Sequence, residues 1–121
     1  MSCDVAKFTI TRGLDNTFVF TIKADGSTLP MVMTAEDTFS ANLVELETGT
    51  SVLTKALTKD ADLSSGKVYL TITAAENSAL TVCKGSKTDR YYLRPTHKLV
   101  IDCSTTNNGD FIARVPEVYV D

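Results

Sequence analysis

Tryptophan is absent from the sequence and His97 is its only histidine. Nucleophilic catalysis needs a base beside the nucleophile, so a sole histidine leaves one candidate for that work. His97 and Cys103 share the phase of one strand-like run, yet they lie too far apart along it for a hydrogen bond within the strand. The cysteines Cys3, Cys83 and Cys103 are odd in number and widely spaced, which excludes a readable disulfide framework or a paired metal knuckle. Reduced, buried thiols in a chain made in the cytosol are the expectation. Missing too are the glycine-rich phosphate loop, the dinucleotide fingerprint, the paired-histidine zinc motif and the nucleophile elbow. No enzyme activity, cofactor, metal or small-molecule substrate is therefore expected. Asp60 and Asp62 offer a weak calcium alternative, but the other oxygen positions of a calcium loop are not there.

Long apolar runs are lacking as well. The longest stretches fall far short of the ~20 residues that span a bilayer, and no basic segment followed by an apolar one opens the chain. Neither a membrane partner nor a signal peptide is expected. The net charge of -3 carries no excess of basic residues to track a phosphate backbone, so nucleic acid is not an expected partner. Hydrophobic residues at 43% and charged residues at 22% are ordinary for a globular chain, and 121 residues suit a single domain spanning 1–121.

Alternation is what the sequence has in abundance. In Lys7 to Lys23, KFTITRGLDNTFVFTIK, Phe8 and Ile10 share a face, and after a polar turn at Gly13 to Asn16 so do Phe18, Phe20 and Ile22. Side chains alternate with period two in extended backbone, so this stretch is expected to be a strand–turn–strand hairpin with an apolar face that a second layer must cover. ADGSTLP, from Ala24 to Pro30, then reads as a loop or sheet crossing, and Met31 to Met33 as a short strand or arm. Thr38 to Leu46 alternates until it slips at Val44, as at a bulge, and the turn Glu47 to Thr50 leads back through Ser51 to Leu57 as a hairpin. Thr58 to Gly66 reads as a solvent loop anchored by Leu63.

Lys67 to Thr73 is the cleanest strand, and its Thr73 stands three residues before Glu76 in the spacing of a capping box, which predicts a helix from Ala74 to Val82. Gly85 is placed to stop it, and a polar loop, Lys84 to Arg90, follows. Lys98 to Cys103 alternates, Asn108-Gly109 supplies a tight turn, and Phe111 to Val115 returns antiparallel. Pro116 is expected to separate that strand from a last extended piece, Glu117 to Val120. The fold class that follows is all-β, an antiparallel immunoglobulin-like sandwich of seven to eight short strands with one short helix near 74–82; a small barrel is the alternative.

Surfaces suited to association remain once the chemistry is removed. Lys84, Lys87, Arg90 and Arg94 form a basic cluster beside Tyr91 and Tyr92, the Arg and Tyr composition of protein contacts. Met31, Met33 and Tyr119, on segments read as an arm and a terminal strand, complete the candidate contact residues.

The order of features resembles the small immunoglobulin-like β-domains of tailed-bacteriophage structural proteins, including the N-terminal domain of baseplate upper proteins. ITRGLDNTFVFTI, GSTLPM, GKVYLTITAAENSAL, YYLRPTHKLVID and FIARVPEVYV carry the resemblance, over nearly the whole chain. It implies a non-enzymatic virion protein, in the tail or baseplate or as capsid decoration, that contacts other virion proteins in many copies of a symmetric assembly. Such domains usually run on into a fibre or second module, whereas this sequence stops at Asp121, which implies a free-standing accessory subunit; its KGSKTDR loop is also more basic than the resemblance leads one to expect. The alternative is a carbohydrate-binding or adhesin module for a host surface. Sugars stack on exposed aromatics, which the lack of tryptophan disfavours and Tyr91, Tyr92 and Tyr119 allow.

Overall fold

The structure is a computed structural model that describes residues 2–23, 28–81 and 94–121. Its strands are β1 (Ser2–Cys3), β2 (Lys7–Ile10), β3 (Asn16–Lys23), β4 (Thr38–Glu45), β5 (Ser51–Ala56), β6 (Thr58–Lys59), β7 (Lys67–Ile72), β8 (His97–Thr105) and β9 (Gly109–Val120). A 3-10 turn at Leu63–Ser65 and a single helical turn, α1 (Ala74–Asn77), complete the described elements. A four-stranded sheet in the order β1-β3-β7-β6 packs on a five-stranded sheet in the order β2-β9-β8-β4-β5. Those two orders, with the opening segment divided between the sheets and β5 added at an edge, are those of an immunoglobulin-like sandwich.

Alternation explains the layers. Phe20, Ile22, Val68, Leu70 and Ile72 point inward from the four-stranded sheet, and Phe39, Ala41, Leu43, Leu99, Ile101, Ala113 and Val115 meet them from the other. Burying such side chains stabilises the fold by roughly 1.5–3 kcal/mol each before chain entropy is charged against them. The expected bulge in β4 is present as a register shift between Leu43 and Val44, and the hairpin closes through Gly49 at φ 71°.

Several expectations are corrected. The opening strands β2 and β3 do not pair: β2 runs parallel to β9 in one sheet and β3 runs antiparallel to β7 in the other. The two apolar faces therefore look at each other across the core, with Phe8 4.4 Å from Phe18 and 5.6 Å from Phe20 between ring centroids. Alternation assigns faces but cannot tell a hairpin from an arch between sheets. Second, Pro116 does not divide the last strand, because β9 continues through it to Val120. His97 pairs with Val118 and Leu99 with Val115, so β9 carries an extra residue around Pro116. A bulge is where a residue without an N–H is tolerated in a sheet, and it switches the buried phase from Ala113 and Val115 to Val118 and Val120. Third, α1 ends at Asn77 rather than running on through Leu80 towards Val82, and Val82 lies outside the described residues. The capping box forms as expected, with Glu76 N–H donating to Thr73 Oγ1 and Thr73 N–H to Glu76 Oε1. Asn77 then spends its side chain elsewhere and Ser78 Oγ bonds back to the Ala75 carbonyl, local bonds that compete with helix extension.

Polar anchors join the loops. Asn77, fully buried, accepts from Gly13 N–H at 2.9 Å and donates to the Leu14 carbonyl at 2.7 Å, while Asp15 accepts from Ala74 N–H at 2.8 Å. The turn between β2 and β3 is thus fixed to α1. Lys55 of β5 reaches the other sheet, donating to the Thr71 carbonyl and to Glu76 Oε1, each at 2.7 Å. The Lys55 bond to Glu76, which is also an ion pair, and then the bond from Thr73 N–H hold Glu76 down to about 2 by stabilising its charged form.

At the opposite end Asp37 is buried and gathers Thr34 N–H, Thr34 Oγ1 and Thr106 N–H, at 2.9, 2.8 and 2.9 Å. Burial alone would raise its carboxyl; the bonds from Thr106 and Thr34 outweigh that and hold it below its ordinary value. Met31 and Met33 hang from the same connection, their N–H groups bonded to the Ile22 and Leu63 carbonyls and their side chains in the core. They are neither a strand nor an arm.

Candidate functional site

The predicted contact residues do not converge. Met31 and Met33 are 1% and 4% exposed and so are not available as a docking surface, because their side chains fill the gap between the sheets. That expectation is corrected. Lys84, Lys87, Arg90, Tyr91 and Tyr92 lie outside the described residues, as does Cys83. Arg94 is exposed just before β8, at the end of the sandwich where Leu46 N–H meets the Thr96 carbonyl, and therefore at the opposite end from Met31. Tyr119 is half-buried in the β2–β9 ladder opposite Thr9. The last strand is an interior member of its sheet, flanked by β2 and β8, and not an extended arm.

Groups with catalytic or metal-binding potential are built into the framework. Asp60 accepts from Tyr69 Oη at 2.7 Å and from Ser65 Oγ at 3.1 Å, and Asp62 caps the 3-10 turn through Ser64 N–H. The Tyr69 bond pulls the Asp60 carboxyl below its ordinary value and pushes the Tyr69 hydroxyl up. Among the described residues no group of three or more His, Cys, Asp or Glu is arranged to hold a metal. His97 is 1% exposed, its Nδ1 2.7 Å from Thr96 Oγ1 and its Nε2 without a partner among the described residues. Burial lowers the His97 pKa, and burial pushes the Cys103 thiol up to about 12 and the Cys3 thiol to about 11. The His97 imidazole and the Cys3 and Cys103 thiols are therefore held neutral, and among the described residues nothing at Cys103 activates the sulfur. No helix among the described residues is long and apolar enough to cross a membrane.

What the fold does assemble is a face. Outward-pointing residues of β9, β8, β4 and β5 form cross-strand rows: Ile112, Asp102, Ser40 and Ala56 in one, and Arg114, Val100, Asn42 and Thr54 in the next. Thr54 Oγ1 donates to Asn42 Oδ1 at 2.7 Å and Asn42 Nδ2 to Asp102 Oδ2 at 2.9 Å, tying three strands together on the solvent side. Small side chains at Ser40, Ala56 and Ser104 leave a shallow groove of about 620 Å³ bordered by Asp102, Asp110 and Ile112. Ile112 and Val52 stand out from this face at 43% and 41% exposure. Sequence reasoning missed it, although the signal was present: the residues between the inward ones of Thr38 to Leu46 and Lys98 to Cys103 are short, apolar or of mixed charge.

No protein-family model matches the chain, and no curated protein matches it.

Proposed function

We propose that this chain is a non-enzymatic structural subunit that works through protein–protein contacts, and that its setting is the virion of a tailed bacteriophage. The observation that carries the contact reading is the outer face of the five-stranded sheet, a pinned surface of short, apolar and oppositely charged side chains around a shallow groove. At such a surface few long flexible side chains need to be ordered on binding, which lowers the entropic cost of a contact. The virion setting rests on the sequence resemblance carried by ITRGLDNTFVFTI and GKVYLTITAAENSAL. On a symmetric lattice, many copies of a modest contact add up through avidity.

The test is quantitative mass spectrometry of gradient-purified tailed-phage particles encoded by the same genome. Peptides of this chain in fixed ratio to the major tail or capsid protein support the proposal, in hundreds of copies for decoration or small multiples of three or six for a baseplate. Particles free of the chain, or binding of the isolated domain on a glycan array, refute it.

A further inference from the structure

The charges on the five-stranded face are not mixed at random. Along β8 the outward side chains run Lys98, Val100, Asp102, Ser104, and along antiparallel β9 the residues beside them run Arg114, Ile112, Asp110. Each strand therefore runs from a basic through an apolar to an acidic side chain in the same direction, one cross-strand row out of step, and beyond Arg114 the Glu117 carboxylate stands beside Lys7 of β2 on the same face. Lys98, Arg114 and Asp110 make no ion pair among the described residues, and Asp102 is held only by the neutral Asn42 amide. The groove lies at the acidic end.

We propose that this face binds a second copy of itself, with the two sheets packed face to face about a two-fold axis that lies in the plane of the interface, across the strands. That axis turns one face end for end over the other. The basic end of each copy then covers the acidic end and groove of its partner, with β8 over β8 and β9 over β9; Lys98 reaches Asp110 and Arg114 reaches Asp102 diagonally, one strand spacing aside, and Val100 and Ile112 fall near the axis. The other in-plane axis, along the strands, sets like charges against each other and is disfavoured. A surface whose two ends carry opposite charge is complementary to itself under one symmetry operation, and a two-fold dimer requires self-complementarity. Charge thus selects a second copy as the occupant. The inference goes beyond the virion setting and does not need it.

Strand spacing and residue rise give a face on the order of 500 Å² per copy, so the buried total lies at the low end for specific interfaces. A weak, salt-sensitive dimer is expected, with a dissociation constant in roughly the micromolar range or weaker.

Sedimentation velocity of the purified chain, from micromolar to several hundred micromolar and at low and high sodium chloride, reads this directly. Concentration-dependent dimerisation that weakens at least tenfold at high salt is expected. Ile112→Asp abolishes it, and circular dichroism confirms that the fold survives, since the side chain is 43% exposed. Lys98→Asp and Asp110→Lys each weaken the dimer, and the double exchange restores it, which a merely structural effect of either change does not do. A chain that stays monomeric at the highest concentration in low salt overturns the proposal, as does a dimer that survives Ile112→Asp. So does a charge exchange that fails to rescue two folded single variants.

Discussion

Replacing Gly66 by alanine isolates a contact that the core depends on. Gly66 has φ 68°, and its carbonyl accepts from Ile22 N–H at 2.8 Å while the Ile22 carbonyl accepts from Met31 N–H at 2.8 Å. A Cβ there meets the Ile22 carbonyl oxygen and Pro30 Cβ at 2.9 Å and Met31 N at 3.0 Å. Two of these are backbone atoms in the linkage that seats Met31, so relief requires that segment to move. Gly49 is the matched control, at φ 71° with nothing within 4 Å of its would-be Cβ. Left-handed backbone costs alanine about 1–2 kcal/mol, partly offset by about 0.4–1 kcal/mol from the stiffer unfolded chain. Gly49→Ala should therefore lose about 1 kcal/mol. Crowding adds about 1–3 kcal/mol at Gly66, for a total of about 2–4 kcal/mol and a melting temperature lower by roughly 10 °C or more. Urea unfolding followed by far-UV circular dichroism measures both variants on one scale. Equal losses at the two sites would refute the reasoning, because they would show that only the dihedral angle matters.

Phe20→Asp should leave no cooperative unfolding transition, since it puts an unpaired charge at a 1% exposed site; a retained melt by calorimetry would show the inward face to be assigned backwards. Asp37→Ala removes the acceptor of Thr34 N–H and Thr106 N–H. A loss of about 2–4 kcal/mol is expected, with faster amide exchange at Thr106 as its local signature. Stability should also fall with acid: Glu76 ionises near 2 when folded against an ordinary 4.5, and Asp37 and Asp60 are also held below their ordinary values. The folded chain binds fewer protons than the unfolded one in this window, so the contribution is whole above about 4.5 and is lost as pH falls towards 2. Urea midpoints at pH 7, 4 and 2.5 check this, and for Glu76→Gln the drop should be smaller.

Much of the fold was legible because alternation maps directly onto burial. Lys67 to Thr73, the β4–β5 hairpin with its slip at Val44, and the Thr73–Glu76 box all appear where the pattern put them. What alternation could not carry was partnership. Nothing in KFTITRGLDNTFVFTIK distinguishes a hairpin from an arch, because the partner of β2 is more than a hundred residues away in β9. Met31 and Met33 were misread for a related reason: a loop of three apolar residues has no period, and only the tertiary gap between the sheets determines that two of them turn inward while Val32 stays 59% exposed. The anchor Asp37 had a local signal, Thr34 three residues ahead of it in capping-box spacing, but no helix follows to draw attention to it. The contact face lay in the residues left over once the inward ones were assigned, and its lengthwise charge order emerges only when the β8–β9 register is known.

The parallel pairing of β2 with β9 has a mechanical consequence. Lys7 to Ile10 runs alongside Glu117 to Val120, and the ladder extends through Asp121 N–H to the Ile10 carbonyl and Arg12 N–H to the Asp121 carbonyl. Tension drawn between the start of β2 and the end of β9 pulls these neighbours along their shared axis, straining every rung at once, whereas a hairpin would peel apart one rung at a time. The sandwich is therefore stiff to stretching along this line and gives way abruptly when it yields.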